Sequence, residues 1–233
     1  MPENLDFAEA LTTESIETKV FTSAKSETDA TNFESERIFG TLWNKSSAVS
    51  THAFLIKSET KLNSVSHVIF YFDSLSFCSK FELDKPEEVS AAVDAMINPF
   101  LYATTELLRR KEQLKEKTIV SFLVRTYPSK LETLTSKVAG QLPASSIVNI
   151  AETAFITMAE NFAATTADHD YISVLLAKNS PGNELYKNEK QTAIWLIEGM
   201  NAVFTQKNKQ TIKQASTWNK VGSKVQTGFS LFR

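Results

Sequence analysis

Thr118-Ile119-Val120-Ser121-Phe122-Leu123-Val124 is a short apolar run rich in β-branched residues, and Tyr171-Ile172-Ser173-Val174-Leu175-Leu176-Ala177 repeats the pattern before Pro181-Gly182. Runs of this kind, bounded by polar or turn residues, predict strands covered on both faces of a parallel sheet. Between them, Pro143 to Thr166 predicts a helix entered through Pro-Ala-Ser-Ser, with Ser145 or Ser146 placed to accept a bond from the first free amides. Apolar residues at Ile147, Val148, Ile150, Ala151, Ala154, Phe155, Met158, Ala159, Phe162 and Ala163 leave a narrow polar stripe through Asn149, Glu152, Thr153, Thr157 and Glu160. A helix this apolar needs cover beyond one sheet: either more of its own domain or a partner subunit.

The order strand, helix, strand, Pro-Gly resembles the second half of the short-chain dehydrogenase/reductase family. In that family the helix carries a Tyr, three residues and a Lys. Laid on that motif, Val148 stands where the family has its Tyr and Glu152 where it has its Lys. The Tyr moves a proton at the carbonyl oxygen and the Lys lowers its pKa and holds the cofactor ribose. Valine does neither, and glutamate has the wrong charge.

The chain has 233 residues, enough for one domain with a large core, and its formal net charge is −2. That balance argues against general binding to nucleic acid or anionic membranes. The single Cys78 has no partner for an internal disulfide, and no apolar run approaches the ~20 residues of a membrane span. The amino end lacks the basic and apolar regions of a signal peptide, so the expected compartment is the cytoplasm. Acidic residues crowd the opening stretch through Glu36, while nothing after Glu198 is acidic.

Residues 1–17 are polar, with weak helical periodicity at Leu5, Ala8 and Leu11, and are expected to lie loosely on the surface. Thr18 to Ser23 reads as the first strand. The resemblance then requires a glycine-rich turn for the cofactor pyrophosphate. Ala24-Lys25-Ser26-Glu27-Thr28-Asp29-Ala30 follows instead, and the first glycine is Gly40. Phe33 to Trp43 predicts a short amphipathic helix, Ala53 to Ile56 a short strand, and His67 to Phe72 a clearer strand ending at Asp73-Ser74, where the family's Asn-Asn-Ala-Gly is missing. The interval between the first strand and this one is short for two complete strand-helix-strand units.

Lys85-Pro86-Glu87-Glu88 opens a long helix that Pro99 should bend. Asn98 is either a remnant of the family's catalytic set or a structural residue at the kink. Glu189 to Phe204 predicts a helix, Thr211 to Ser216 resembles the last strand, and Phe229-Ser230-Leu231-Phe232 closes a polar tail. Tyr186 to Lys190 matches Tyr-x-x-x-Lys but follows Pro-Gly instead of lying on the preceding helix. Tyr171 and Lys178, on one strand, stand about 23 Å apart. His52, His67 and His169 show no metal-ligand spacing. Cys78 has no activating neighbour. Glu152 and Glu160 share one helical stripe and read as solvated or subunit-facing.

The expected fold is α/β, a Rossmann-like doubly wound parallel sheet with a shortened or irregular amino-terminal half. It comprises a surface segment at 1–17, a single domain at 18–216 and a tail at 217–233. The expected function is that of a catalytically inactive relative of the dehydrogenases, an oligomeric structural or protein-interaction module, with no catalytic, cofactor or metal residues. The resemblance implies a dimer or tetramer through the two long helices, with Phe100, Leu101, Leu108, Val148, Phe155, Met158 and Phe162 at the interface and an unidentified protein as a further partner. The alternative is an enzyme or small-molecule binder that reuses the crevice at the carboxyl ends of the strands, lined by Asn98, Thr126 or Tyr127 and Glu152.

Overall fold

A computed structural model describes residues 5–13, 17–24, 26–28, 30, 36–78, 86–135, 145–206 and 208–225. Its centre is β4 (Thr118–Arg125), all eight residues of which are buried. This strand pairs in parallel with β3 (His67–Asp73) on one edge and β5 (Ile172–Asn179) on the other. A short strand, β6 (Trp218–Lys220), extends β5 and completes the order β3-β4-β5-β6. Two further strands, β1 (Val20–Ala24) and β2 (Ile38–Leu42), pair in parallel with each other in a separate two-stranded sheet. The architecture is therefore α/β with parallel strands and an amino-terminal half that forms only a partial sheet.

Side chains of β4 alternate between two apolar layers. Val120, Phe122 and Val124 meet α7 (Ser146–Thr166) and the pair α4 (Pro86–Met96) and α5 (Asn98–Leu114). Ile119 and Leu123 meet α8 (Glu189–Phe204) and α1 (Leu5–Thr13). The ring of Phe155 from α7 is the hub of the first layer, with centroids 5.4 Å from Phe72, 4.8 Å from Phe100 and 6.0 Å from Phe122.

The expected strands at 118–124 and 171–177 and the helix at 189–204 are present, but five local expectations change. Residues 36–43 hold β2 instead of a helix, because Ile38 to Leu42 pair in register with Val20 to Ala24; residues 33–35 lie outside those described. Ala53 to Ile56 sit within α2 (Ala48–Leu62), capped by Ser47 and burying Thr51, Phe54 and Ser58 at helical spacing. Thr211 to Ser216 form the short helix α9 (Ile212–Ala215), held by the reciprocal Thr211–Gln214 capping box, and the last strand follows at β6 within the expected tail. The surface segment contains α1, whose Phe7, Ala8, Ala10 and Leu11 are buried against α8 and the sheet. The long helix is broken at Ile97 into α4 and α5, with Pro99 in the first turn of α5, where its missing amide costs no bond. The Phe229–Phe232 run lies outside the described residues.

Removing the hub ring tests this packing. Phe155→Ala should lower unfolding free energy by about 3–5 kcal/mol in denaturant titrations, with the cost falling on folding itself and not on subunit association.

Candidate functional site

The carboxyl ends of β3, β4 and β5 converge on the first turns of α7 and α8. Register places Asp73 directly opposite Arg125. The guanidinium Nε donates to Asp73 Oδ1 at 2.7 Å, a second guanidinium nitrogen donates to the other carboxylate oxygen, and Glu189 Oε1 of α8 lies 3.1 Å away. The Arg125 side chain is 8% exposed and that of Asp73 2%. Burial opposes the charge on Arg125, yet the bonded Asp73 carboxylate leaves its pKa above the ordinary value. Asp73 Oδ1 also accepts from the Leu75 amide at 3.1 Å, capping the one-turn helix α3 (Ser74–Phe77). Tyr186 donates its hydroxyl proton to the Thr126 carbonyl at 2.7 Å, and burial raises its phenol pKa.

Beside this ion pair stands Glu152, on the first half of α7. Its Oε2 accepts the Ser74 hydroxyl proton at 2.5 Å and the Tyr127 amide at 3.3 Å. Burial pushes its carboxyl above the usual range, with the two bonds opposing that shift in part. One helical turn earlier, Val148 is fully buried in the apolar layer. The strand ends thus carry two carboxyl groups, Asp73 and Glu189, on one guanidinium, and a third, Glu152, bonded to neutral donors. The Asp73–Arg125–Glu189 contacts tie β3, β4 and the start of α8 together.

The structure brings together Glu152, Thr126 and Tyr127 from the expected crevice set, but not Asn98. The Asn98 amide donates to Asp94 Oδ1 at 2.8 Å across the break between α4 and α5, which makes it a joint residue. Glu152 and Glu160 do not pair, because Glu160 accepts the Trp218 indole proton at 2.8 Å. Cys78 donates to the Leu75 carbonyl at 3.0 Å, and burial raises its pKa, as suits an inert thiol. His52 bonds Glu106 at 2.6 Å, His67 bonds Asn201 at 3.0 Å, and His169 stacks on Tyr171. Among the described residues no three His, Cys, Asp or Glu side chains could hold a metal ion, and no helix is long and apolar enough to cross a membrane. Ser145 is the amino cap of α7, but its hydroxyl makes no capping bond.

The expected interface set also divides. Phe100, Val148 and Phe155 belong to the chain's own core, with 3%, 0% and 2% exposure, because the sheet and the neighbouring helices claim that side of α7. Leu101, Leu108 and Met158 instead line a groove of about 1020 Å3 along α5 and α7, together with Ile150, and Phe162 contributes to its floor. Ser74, Asp73 and Arg125 were missed by sequence reasoning. Their signal was present as an acid and a base at the ends of two strands that turn out to be adjacent, but only the register joins them.

No protein-family model matches this chain, and no curated protein does. Solved structures do resemble it. A 3-ketoacyl-(acyl-carrier-protein) reductase from Brucella melitensis, complexed with NADH, superimposes with a TM-score of 0.61 at 12% identity, over 92% of this chain and 91% of its own. A short-chain dehydrogenase from Mycobacterium smegmatis gives 0.61 at 12% identity, over 88% and 81%, and one from Streptomyces avermitilis 0.59 at 10%, over 93% and 85%. The fold is therefore that of the short-chain dehydrogenases, in keeping with the resemblance drawn from the core stretch.

Two measurements test this site. Asp73→Ala leaves the buried Arg125 guanidinium with Glu189 as its remaining carboxylate and should cost stability, toward the low end of about 3–5 kcal/mol, in denaturant titrations. For Glu152, the folded-state pKa exceeds the unfolded one, so the folded chain binds more protons across that window and stability falls as pH rises through it. Glu152→Gln should therefore stabilise the protein at neutral pH relative to the parent, and the gain should vanish at acid pH where both states are protonated.

Proposed function

We propose that this chain is a homo-oligomeric module on a short-chain dehydrogenase fold that does not carry out carbonyl reduction by the Tyr-Lys mechanism. The observation that carries the reading is the pair of positions on α7. Val148 is sealed in the core with no polar atom to offer, and Glu152, one turn on, is bound by Ser74 and Tyr127. A proton donor with a lowered pKa needs a neighbouring cation, and Arg125, the cation bonded at these strand ends among the described residues, is engaged by Asp73 and Glu189. The nearby Lys178 side chain is solvent-exposed. A dinucleotide at these strand ends would meet buried carboxyl groups.

The assembly face in this reading is the groove between α5 and α7. Its apolar residues are exposed in the single chain: Ile150 at 57% and Leu101 at 45%. They alternate with Asn149, Thr153, Thr157 and Asn161, a mixture suited to a second copy of the same two helices packed about a twofold axis. Any hetero-partner would be recruited by the assembled oligomer.

Light scattering at micromolar concentration should report a dimer or tetramer. Ile150→Glu should convert it to a folded monomer whose melting temperature no longer depends on protein concentration, since that side chain lies outside the core; a monomeric parent would remove the interface. NADH or NADPH should give no thermal shift, whereas saturation at a hundredfold excess over the dissociation constant would add about 2.7 kcal/mol.

A further inference from the structure

Between β1 and β3 lies a cavity of about 520 Å3, bordered by Lys19 to Thr22 on one strand and Ser66 to Tyr71 on the other. The two strands present facing edges. Among the described residues, each pairs with a neighbour strand on one side only, β1 with β2 and β3 with β4. Above and below, the cavity is closed by apolar side chains of both core layers: Phe7, Leu11 and Ile197 on one face, and Trp43, Phe54 and Ala103 on the other. We propose that this slot seats one further β-strand, an extended apolar segment that lies parallel between β1 and β3 and runs directly into the amino end of α1.

Length and chemistry select a strand. The bordering segments run four to six residues, about 13–20 Å at ~3.3 Å per residue. Two strand edges with no paired strand among the described residues call for a backbone that bonds both ways, which no apolar small molecule supplies. Cover on both faces calls for apolar residues at successive positions, not alternate ones.

Topology selects the connection. From β3 to β4 to β5 the chain steps across the sheet in one direction with its helices in the layer of Phe122 and Phe155. A step from the slot to β1 goes in the opposite direction, and α1, which precedes β1, lies in the opposite layer beside α8. Reversing both direction and face preserves the hand of the crossover, so strand, α1 and β1 would make the same right-handed unit as the rest of the molecule. The Phe7 ring lies 5.3 Å from Tyr71, near the carboxyl end of β3, which puts the start of α1 where a parallel strand in the slot would finish.

Two other segments fit less well. Met1-Pro2-Glu3-Asn4 is too short and too polar. The run Phe229-Ser230-Leu231-Phe232 is interrupted by a serine, whereas cover on both faces calls for apolar residues at successive positions.

The test uses the protein isolated from its native cell through a carboxyl-terminal tag placed at its own locus. Intact mass and amino-terminal sequencing should give a chain heavier than 26.0 kDa, with a run of about four to six apolar residues before the start of α1. Hydrogen exchange should then show slow amides along Val20–Thr22 and Val68–Phe70. A native mass of 26.0 kDa, added residues without such a run, or fast exchange along both edges would overturn the proposal. Ser58→Phe, built into that same protein, gives an independent sign, because Ser58 is a buried wall of the slot. A seated strand makes the larger side chain clash and lowers the melting temperature; a rise would mean that it fills open space and would overturn the proposal.

Discussion

A parallel strand in the middle of a sheet must be covered on both faces and bonded on both edges, and β4 meets that demand with all eight of its residues buried. Most of the molecule follows from it. One face takes Phe155, Phe100 and the flat sides of α5 and α7; the other takes Ile197, Met200 and Leu196 from α8 with Leu11 from α1. Burial of this extent is the main favourable term in folding. It also explains the composition of α7, whose apolar positions are mostly spent inward and leave Ile150, Ala154 and Met158, with the buried Phe162 beneath, among threonines and asparagines along the outer groove.

Charge then fixes what apolar burial leaves loose. Hydrophobic packing tolerates small slips along a strand, but an ion pair between Asp73 and Arg125 exists only in one register of β3 on β4. Glu189 ties the start of α8 to the same guanidinium. Buried pairs of this kind add little net stability over apolar residues of like shape, and a role in setting register accounts for this one better. Glu152 differs. With no cation bonded to it and only neutral donors from Ser74 and Tyr127, its carboxyl is held above the normal range.

The central strands, α7 and α8 were legible in the sequence because their patterns are long and are set by burial on both sides. The shortened amino-terminal half and its strands β1 and β3 were also legible, but other local elements were not. Ala53 to Ile56 reads as a strand by composition, yet Ser47 caps a helix there whose buried residues fall at Thr51, Phe54 and Ser58. Thr211 to Ser216 reads as a strand until the Thr211–Gln214 capping box is weighed. In the crevice, Val148 and Glu152 drew notice through the resemblance to a motif. Ser74, the partner of Glu152, did not, since the two residues belong to different elements and meet only through the packing of α3 against α7.

The position of β1 changes what its neighbouring residues can mean. Read along the sequence, Thr18 to Ser23 looks like the strand that should stand beside His67 to Phe72, and the want of glycine in Lys25 to Ala30 then looks like the loss of a phosphate cradle. In the structure β1 bonds β2 and not β3, so the segment after β1 belongs to the outer two-stranded sheet and is not adjacent to the ends of β3 and β4. Its composition carries no weight about the crevice. The residues the structure does set at the crevice are local ones, Val148 in the core and Glu152 bonded to Ser74 and Tyr127, and their contacts stand whatever lies between β1 and β3.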